Sequence, residues 1–305
     1  MMKIDVALAT FNGAAYLDAF LDSLDRQDYA DVSLVVADDG STDRTIELLR
    51  RRSGPSAKIF PNEGDKGVIG NFNTALTLTA ADHVALADQD DVWLPGKLSR
   101  LSSLLSALEG QKLGPALVFS DLNVVDRDLE IIHRSFFASG HKSINACHLQ
   151  DFIVSNHIPG CSMMVNRSLL DLALPIPSAV MMHDWWLALV AVTFGIVGRI
   201  EEPLVLYRQH GGNTLGAQAG TGSVAKWIER LRAPRDRIID YRRQSQAARR
   251  TLVAFRDRYD EIMPDEAQHI FTAILDGGPI AKLRTLAGAH TGENRLRGLI
   301  QGALI

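Results

Sequence analysis

Short apolar segments alternate with amphipathic segments along the first half of the chain. The apolar runs Ile4 to Ala9, Val32 to Ala37 and Val84 to Ala87 are typical of buried strands. Between the first two runs, apolar side chains recur at helical spacing: Leu17, Phe20, Leu21 and Leu24. This alternation predicts an α/β fold, with a mainly parallel twisted sheet flanked by helices.

The pattern changes after Tyr207. The run Gly211 to Gly222 is rich in glycine, and helical patterns continue from there to the end of the chain. We therefore predict a boundary near Leu215. It separates an α/β domain over residues 1–215 from a helical C-terminal region over residues 216–305.

The C-terminal region is locally basic. Its arginines are interspersed with apolar residues: Arg230, Arg232, Arg235, Arg237, Arg242, Arg243, Arg249 and Arg250. Two interpretations stay open for this pattern. One is a solvated amphipathic surface, and the other is a surface that docks on an anionic membrane or on a lipid-linked pyrophosphate.

The composition describes a globular protein, since 46% of its 305 residues are hydrophobic and 22% are charged. A net charge of -4 gives no overall attraction to nucleic acid, so we predict no nucleic-acid partner. Two cysteines, Cys147 and Cys161, are too few for a disulfide framework and favour the cytoplasm, as does the lack of an apparent export signal. The apolar run Trp185 to Gly198 is shorter than the roughly eighteen residues of a bilayer span, so we predict a buried helix there.

Three carboxylates follow the predicted strand Val84 to Ala87, in the sequence Asp88-Gln89-Asp90-Asp91. Ligands bind at the carboxyl ends of strands in open α/β sheets, because the loops there vary while the sheet stays rigid. Carboxylates this close repel one another unless a cation offsets their charge. Mg²⁺ or Mn²⁺ would take one or two of them and share its other positions with diphosphate oxygens and water. An acidic turn that caps the next helix is the alternative.

Three motifs resemble those of family 2 glycosyltransferases of the GT-A fold, in the same order and spacing: LATFNG, VVADDGSTDRT and ALADQDDVW. The resemblance implies a nucleotide-sugar site in which Thr10 and Asn12 lie on the donor side. It further implies that Asp39 accepts a hydrogen bond from the pyrimidine ring. Asp88 would face the ribose or the sugar, and Asp90 would bind the metal. For Asp39 the alternative is a turn-forming role.

The glycine-bearing segment Asn62 to Asn71 also fits the family, which carries such a loop before a helix. Its glycines permit close backbone approach to a ligand, and Lys66 could offset phosphate charge. Asn71 is placed on the donor side by the same resemblance. A solvated position remains the alternative for Lys66.

Inverting transfer needs one base that removes the acceptor hydroxyl proton while that oxygen attacks the anomeric carbon. In the family this base is the second member of an acidic pair before a helix, a place that His183-Asp184 occupies here. Asp184 is therefore implied as the base, with helix capping as its alternative role. His183 departs from the usual Glu, as in rhamnosyltransferase-like members. The resemblance puts Gly160, His183 and Trp185 on the acceptor side.

Two further residues beside this segment have chemistry of their own. Cys161 has apolar neighbours and no obvious activating base, so we predict a buried packing role for it. His157 is interpreted equally well as a site residue or as a loop histidine.

The string YRQHGGNT closes the α/β region. In relatives with a similar string this segment folds over the diphosphate, which implies that Arg208 binds the donor. His210 is implied as a metal ligand or as a group that stabilises the leaving diphosphate. A structural or solvated histidine is the alternative, and the adjacent glycines predict a mobile flap.

These features predict a metal-dependent inverting glycosyltransferase of cell-surface polysaccharide synthesis, cytoplasmic or peripheral on the inner membrane face. The YRQHGGN and HDWW strings favour L-rhamnose from dTDP-L-rhamnose, with a UDP-linked hexose or N-acetylhexosamine as the alternative donor. The acceptor class is a glycan or a lipid-linked saccharide. A sugar nucleotidyltransferase is disfavoured because its glycine-rich basic N-terminal loop is absent. The intact Asp39, Asp90 and Asp184 argue against a non-catalytic sugar-binding protein.

Overall fold

The structure of the chain is a computed structural model that describes residues 2–52, 57–139, 142–210, 234–287 and 305, except the side chains of residues 234–241. Several sequence predictions lie outside the described residues: the boundary near Leu215, the run Gly211 to Gly222 with its predicted flap, Arg230, Arg232, and the side chains of Arg235 and Arg237.

Nine strands of the described chain form one sheet: β1 (Ile4–Thr10), β2 (Val32–Asp38), β3 (Lys58–Pro61), β4 (His83–Asp88), β5 (Val92–Trp93), β6 (Ala116–Val125), β7 (Ile131–His133), β8 (Met163–Asn166) and β9 (Ile196–Arg208). Their order is β3-β2-β1-β4-β8-β6-β9-β5, and β7 pairs with β6 outside this path. The three predicted apolar runs coincide with β1, β2 and β4.

The two halves of the sheet differ in strand direction. In the first half β1 pairs in parallel with β2 and β4, and β2 pairs in parallel with β3, as the apolar pattern predicts. In the second half β6 and β9 are parallel, whereas β8, β7 and β5 join by antiparallel pairs. Strands covered on both faces are apolar throughout their length whether they run parallel or antiparallel. The hydrophobic pattern alone therefore does not predict the strand directions in the second half of the sheet.

The helices of the described chain are α1 (Leu17–Asp25), α2 (Thr45–Arg52), α3 (Val68–Thr77), α4 (Lys97–Glu109), α5 (Leu149–Phe152), α6 (Arg167–Ala173), α7 (His183–Phe194), α8 (Pro234–Tyr259), α9 (Asp265–Leu275) and α10 (Pro279–Leu286), with a 3-10 turn at Gly160–Ser162. Each face of the sheet has its own core. On one face Leu8 of β1 joins a cluster with Phe20 of α1 and Leu101 of α4. On the other, Ala7 joins a cluster with Phe72 of α3 and Trp186 of α7.

The predicted buried helix at Trp185 to Gly198 is present as α7, but it ends earlier, at Phe194. The reason is a close backbone approach: a Cβ on Gly195 would lie only 1.9 Å from the carbonyl oxygen of Pro115. The chain leaves the helix at this glycine and enters β9 at Ile196. Gly195 thereby places β9 beside β6.

The C-terminal helices share a core with the α/β region. Four side chains of α8 at helical spacing are buried: Ala248, Leu252, Phe255 and Tyr259. Phe255 contacts Trp186 of α7 with ring centroids 5.3 Å apart. The described residues contain no helix whose length and hydropathy would suit a bilayer span.

Candidate active site

A cavity of about 290 Å³ opens at the carboxyl ends of β1 and β4, and the first residues of α3 and α7 also line it. Most of the residues predicted for the site line this cavity: Thr10, Asp39, Asn71, Asp88, Asp90, Gly160, His183, Asp184 and His210. The other four do not line it: Asn12, Lys66, Trp185 and Arg208. The fold therefore brings together segments that are far apart in the sequence.

Asp39 is held in a fixed orientation at one end of the cavity. Its Oδ1 accepts a hydrogen bond from Nδ2 of Asn62 at 2.9 Å, and its Oδ2 accepts one from the backbone amide of Gly67 at 2.7 Å. The ammonium of Lys66 lies 3.5 Å from Oδ1 and donates to the carbonyl oxygen of Asn62 at 2.5 Å. Each carboxylate oxygen can accept a second bond, so Asp39 remains able to receive an N–H donor of a ligand. Lys66 contacts Asp39 and not the cavity.

The neighbouring carboxylate, Asp38, stabilises the loop instead. Its Oδ1 accepts hydrogen bonds from the hydroxyls of Thr10 at 2.8 Å and Ser41 at 2.6 Å. Nδ2 of Asn71 donates to the carbonyl oxygen of Thr10 at 3.0 Å. The side chains of Thr10 and Asn71 therefore fix the end of β1 against β2 and α3, while other atoms of both residues form the cavity wall.

Asn12 has a role within the protein that the sequence did not reveal. It adopts a positive φ of 47°, and its Oδ1 accepts a hydrogen bond from the amide of Thr42 at 2.8 Å. Asparagine tolerates this left-handed backbone better than most residues. The contact joins the loop after β1 to the loop after β2, outside the cavity lining.

Gln89 joins the ends of β1 and β4. Its Oε1 accepts a hydrogen bond from the amide of Phe11 at 3.1 Å, and its Nε2 donates to the carbonyl oxygen of Phe11 at 2.9 Å. A Cβ on Gly13 would lie 2.1 Å from Oε1, so a larger residue there would displace the Gln89 amide. The donor-side loop and the acidic cluster are thus connected by one side-chain amide.

The three carboxylates of the acidic cluster have different surroundings. Asp88 lies on the cavity wall, where burial, together with the charges of Asp90 and Asp184, raises its pKa to about 7. Oδ2 of Asp90 lies 2.8 Å from Nε2 of His210. Asp91 is fully buried, which raises its pKa well above the usual range, and its Oδ1 accepts a hydrogen bond from the amide of Arg208 at 3.1 Å.

Lys97 is a buried cation behind this cluster. It is 0% exposed, and its Nζ donates to the carbonyl oxygen of Cys161 at 2.6 Å and lies 3.5 Å from the ring centroid of Trp93. Burial lowers the pKa of Lys97 to about 7, although the negative charges of the cluster act to raise it. Sequence reasoning missed Lys97, because a lysine at the start of an amphipathic helix is normally exposed.

Among the described residues, two groups of side chains could hold a divalent ion. Asp90 and His210 face the cavity and offer a carboxylate oxygen and an imidazole nitrogen, which suit Mn²⁺ and, through the oxygen, Mg²⁺. The second group is Asp88, Asp91 and Cys161, whose ligand atoms all lie within 4.8 Å of one another. There Lys97 already interacts electrostatically with both carboxylates, and a thiol is a poor ligand for Mg²⁺. The donor set therefore favours the pair that the sequence predicted.

Arg208 lies behind Asp90, outside the cavity lining. Its Nε donates to the carbonyl oxygen of Asp90 at 2.8 Å and its Nη1 to that of Arg127 at 2.6 Å. Its guanidinium carbon lies 4.9 Å from the ring centroid of Tyr16. These contacts make Arg208 a support for the Asp90 loop, because they hold two of its donor nitrogens on backbone carbonyls. Its direct contact with the donor stays a prediction.

Asp184 lies at the start of α7 and lines the same cavity as Asp39. Its Oδ2 accepts a hydrogen bond from the amide of Gly160 at 3.2 Å, and its Oδ1 accepts one from the amide of Trp185 at 2.7 Å. Burial raises the pKa of Asp184 to about 6, although the two amides act to lower it. A carboxylate with this pKa is ionised at neutral pH and still basic enough to accept a proton.

His183 forms part of the cavity wall beside Asp184. Its ring stacks on Phe72 with centroids 3.8 Å apart and an interplanar angle of 15°. Burial lowers its pKa to about 3, so the imidazole is neutral. A Cβ on Gly160 would lie 2.9 Å from Nε2 of His183, so a larger residue would displace the imidazole.

The prediction that Trp185 lies on the acceptor side is wrong in its placement. Its ring is buried in the core at 2% exposure, and its Nε1 donates to the carbonyl oxygen of Phe152 at 2.7 Å.

Cys161 is buried in a hydrophobic cluster as predicted, and burial raises the pKa of its thiol well above the usual range. His157 is buried, and its Nδ1 accepts a hydrogen bond from the amide of Ser143 at 3.0 Å, which makes it a loop-stabilising residue.

The chain matches a protein-family model. The model described as glycosyl transferase family 2 covers residues 5–171, which include most of β1, the acidic cluster and Gly160. The match thus spans more than half of the chain.

Curated relatives carry the same kind of description. The dTDP-rhamnosyl transferase RfbG of Shigella flexneri is 28% identical over 229 residues, which cover 69% of this chain and 74% of that protein. The uncharacterized glycosyltransferase alr2836 of Nostoc sp. is 27% identical over 226 residues, 70% of this chain and 66% of that protein. A GalNAc(5)-diNAcBac-PP-undecaprenol beta-1,3-glucosyltransferase of Campylobacter jejuni is 26% identical over 174 residues, 56% of this chain and 54% of that protein. The chain therefore spans between about half and three quarters of these relatives.

Solved structures show the fold. Residues 1–349 of TarS from S. aureus, in complex with UDP-GlcNAc, match with a TM-score of 0.56 at 15% identity, over 99% of this chain and 90% of that one. The mannosyltransferase PcManGT from Pyrobaculum calidifontis, in complex with GDP-Man and Mn²⁺, matches with a TM-score of 0.57 at 18% identity, over 94% of this chain and 72% of that one. The predicted GT-A fold is confirmed.

Proposed function

This chain belongs to glycosyl transferase family 2, and from that premise we propose that it is an inverting, divalent-metal-dependent glycosyltransferase. It transfers a sugar from a nucleoside diphosphate to a hydroxyl of a saccharide or lipid-linked acceptor. One observation carries the proposal. A carboxylate poised as a base, Asp184, shares a single cavity of about 290 Å³ with a donor-side carboxylate, Asp39, and a candidate metal pair, Asp90 and His210.

The proposed role of Asp184 is that of general base. Its carboxylate takes the proton of the acceptor hydroxyl while that oxygen forms a bond to the anomeric carbon, and the bond from that carbon to the diphosphate oxygen breaks. Attack from the face opposite the leaving group inverts the configuration. Hydrogen bonds from the amides of Gly160 and Trp185 fix the orientation of the carboxylate, which supports this role.

At the other end of the reacting bond, negative charge develops on the departing diphosphate. A divalent ion held by Asp90 and His210 would supply the compensating positive charge. The carboxylate of Asp39 would accept a hydrogen bond from the N–H of a pyrimidine base, since both its oxygens are already oriented by Asn62 and Gly67. In the proposed site Arg208 acts indirectly, by holding the backbone of Asp90.

For the donor we propose dTDP-L-rhamnose. The support is the similarity to the Shigella protein, whose name gives that activity, and the neutral His183 in place of an acidic residue. Inversion from dTDP-β-L-rhamnose would give an α-linked product. A UDP-linked hexose or N-acetylhexosamine is the alternative, because the Campylobacter relative is named as a glucosyltransferase. That relative's name also supports a lipid-linked acceptor.

A donor screen tests this function without a known acceptor. The purified protein is incubated with Mn²⁺ and a panel of nucleotide sugars, and the diphosphate released by slow hydrolysis is measured. We expect one pyrimidine-linked donor to be hydrolysed faster than the others, and the hydrolysis to stop when Mn²⁺ is removed. Hydrolysis of no donor, together with no thermal stabilisation by any pyrimidine nucleotide plus Mn²⁺, would contradict the proposal.

A further inference from the structure

Four arginines cover the outer face of α8: Arg242, Arg243, Arg249 and Arg250. They form two adjacent pairs seven residues apart, which is close to two helical turns, so all four project within an arc of about 120°. All four side chains are exposed. The two pairs therefore form a single cationic stripe along the helix, which we call the arginine face.

The packing of α8 fixes the direction of this stripe. The opposite side of the helix carries Leu252, Phe255 and Tyr259, which are buried in the core against α7. Phe255 contacts Trp186 at 5.3 Å between ring centroids, and Tyr259 contacts the same ring at 5.7 Å. The helix cannot rotate about its axis without exposing these rings, so the arginine face is held towards the outside.

Within the part of the chain that the structure describes, the positive charge of the arginine face has no acidic partner. Among the described residues, no ion pair involves any of its four guanidinium groups, whereas Arg256 on the same helix donates to Asp276 at 2.6 Å. The sequence from Arg242 to Arg250 contains no acidic residue, although the whole chain has a net charge of -4; the next acidic residue of the helix, the exposed Asp257, lies seven residues beyond Arg250. Solvated helix faces usually mix charges of both signs at closer spacing, so four arginines in this stretch of an acidic protein indicate an anionic partner.

We infer that the arginine face docks the protein on the surface of an anionic lipid bilayer. Guanidinium groups bind phosphate oxygens in bidentate geometry, and a straight row of them matches a planar array of lipid phosphates. A bilayer touches only one side of the protein, so the acidic remainder is not brought against it. The inference rests on the proposed function in one respect: a lipid-linked acceptor would lie at the surface of the same bilayer.

Vesicle sedimentation tests the inference directly. One set of vesicles is phosphatidylcholine alone, and the other contains one third phosphatidylglycerol. The test variant replaces the four arginines by glutamine: Arg242→Gln, Arg243→Gln, Arg249→Gln and Arg250→Gln. The control variant makes the same change in charge at four exposed positions elsewhere: Arg44→Gln, Arg50→Gln, Arg51→Gln and Lys58→Gln.

We expect the unmodified protein to sediment with the anionic vesicles and not with the neutral ones. The test variant should partition onto anionic vesicles at least about tenfold less, because each arginine near an anionic surface contributes separately to binding. The control variant should stay within about twofold of the unmodified protein. Equal binding by both variants, equal loss in both, or no preference for anionic vesicles would each overturn the inference.

Folding and donor binding are checked separately, so that the two proposals fail in different ways. Both variants should keep the thermal midpoint and the nucleotide-dependent stabilisation of the unmodified protein, because the arginine face lies outside the cavity. Loss of vesicle binding with donor hydrolysis intact supports the docking surface. Vesicle binding in a protein that hydrolyses no donor would contradict the proposed function and leave the docking surface standing.

Discussion

The imidazole of His210 stacks on the ring of Tyr16, with centroids 4.5 Å apart and an angle of 21° between the planes. The same imidazole directs Nε2 towards Oδ2 of Asp90 at 2.8 Å. Tyr16 precedes α1, so the first helix sets the orientation of a residue that follows the last strand. A ring held in this way is preorganised for a ligand at Nε2, which makes Tyr16 a positioning residue for the proposed metal pair.

Replacing Tyr16 tests this arrangement. In Tyr16→Leu the stacking surface is lost, and we expect the affinity for Mn²⁺ in the presence of nucleotide to fall roughly tenfold, the lower end of the range for residues that support a metal ligand. Tyr16→Phe keeps the ring and should bind Mn²⁺ like the unmodified protein. Isothermal titration with Mn²⁺ measures both. Equal affinities in the two variants would show that stacking does not orient His210.

Asp90→Ala addresses the metal pair itself. Without the carboxylate, the stabilisation of the protein by nucleotide should no longer depend on Mn²⁺, because one of its proposed ligands is absent. Thermal unfolding with nucleotide, with and without Mn²⁺, measures the difference. Asp91→Asn is the control, since that side chain is buried behind the cluster. A Mn²⁺ dependence unchanged in Asp90→Ala would refute the ligand role.

Asp184→Asn separates chemistry from binding. We expect donor affinity close to that of the unmodified protein and a sugar-transfer rate lower by about 100-fold or more, the scale of a lost general base. Asp39→Asn should have the opposite profile, with weaker donor binding and a smaller change in turnover. Steady-state rates and nucleotide titrations measure the two effects. A turnover near the original value in Asp184→Asn would move the base to another residue.

The acid limb of the pH–rate profile should reflect Asp184. A base must be ionised to accept a proton, and the pKa of Asp184 is raised to about 6. Activity should therefore fall as the pH drops through about 6, at a higher pH than an ordinary aspartate would give. His183 has a pKa of about 3 and does not titrate in this range, so His183→Gln should keep the same limb. A shift of the limb in His183→Gln would contradict this assignment.

Lys97→Met removes the buried cation behind the acidic cluster. The variant loses the hydrogen bond from Nζ to the carbonyl oxygen of Cys161 and the electrostatic interaction of Lys97 with Asp91. We expect a loss of about 2 kcal/mol in the free energy of unfolding, the scale of one charged hydrogen bond. Lys58→Met, at an exposed position, is the control. Urea unfolding of both proteins measures the change, and an equally stable Lys97→Met would contradict it.

The local pattern predicted the strands and helices of the first half, because each buries one or two faces and so has a periodic sequence. Most of the cavity residues came from the family resemblance, and only some of them, such as Thr10, Asp39 and Asp88, stand at strand ends. The resemblance also selected Asp39 rather than Asp38, which the local pattern alone could not do, since which of two adjacent carboxylates faces the cavity depends on contacts with distant loops. Trp185 was misplaced for a geometric reason: it is two positions after His183, so the two side chains point about 200° apart around α7.

Tyr16, Gln89 and Lys97 could not be found from the sequence. Each acts through a partner far along the chain: Tyr16 through His210, and Lys97 through Cys161. Such pairs have no periodicity, because only the assembled sheet brings them together. In the sequence, a tyrosine before a helix and a lysine at the start of one have no feature that distinguishes them from exposed residues.

The side-chain amide of Gln89 limits which residues position 13 can accept. This amide forms two hydrogen bonds with the backbone of Phe11, as a residue of a neighbouring strand would, but it does so through a side chain. A side chain at position 13 would meet the Gln89 amide and displace it. Substitution of Gly13 would therefore break both hydrogen bonds and separate the loop after β1 from the acidic cluster.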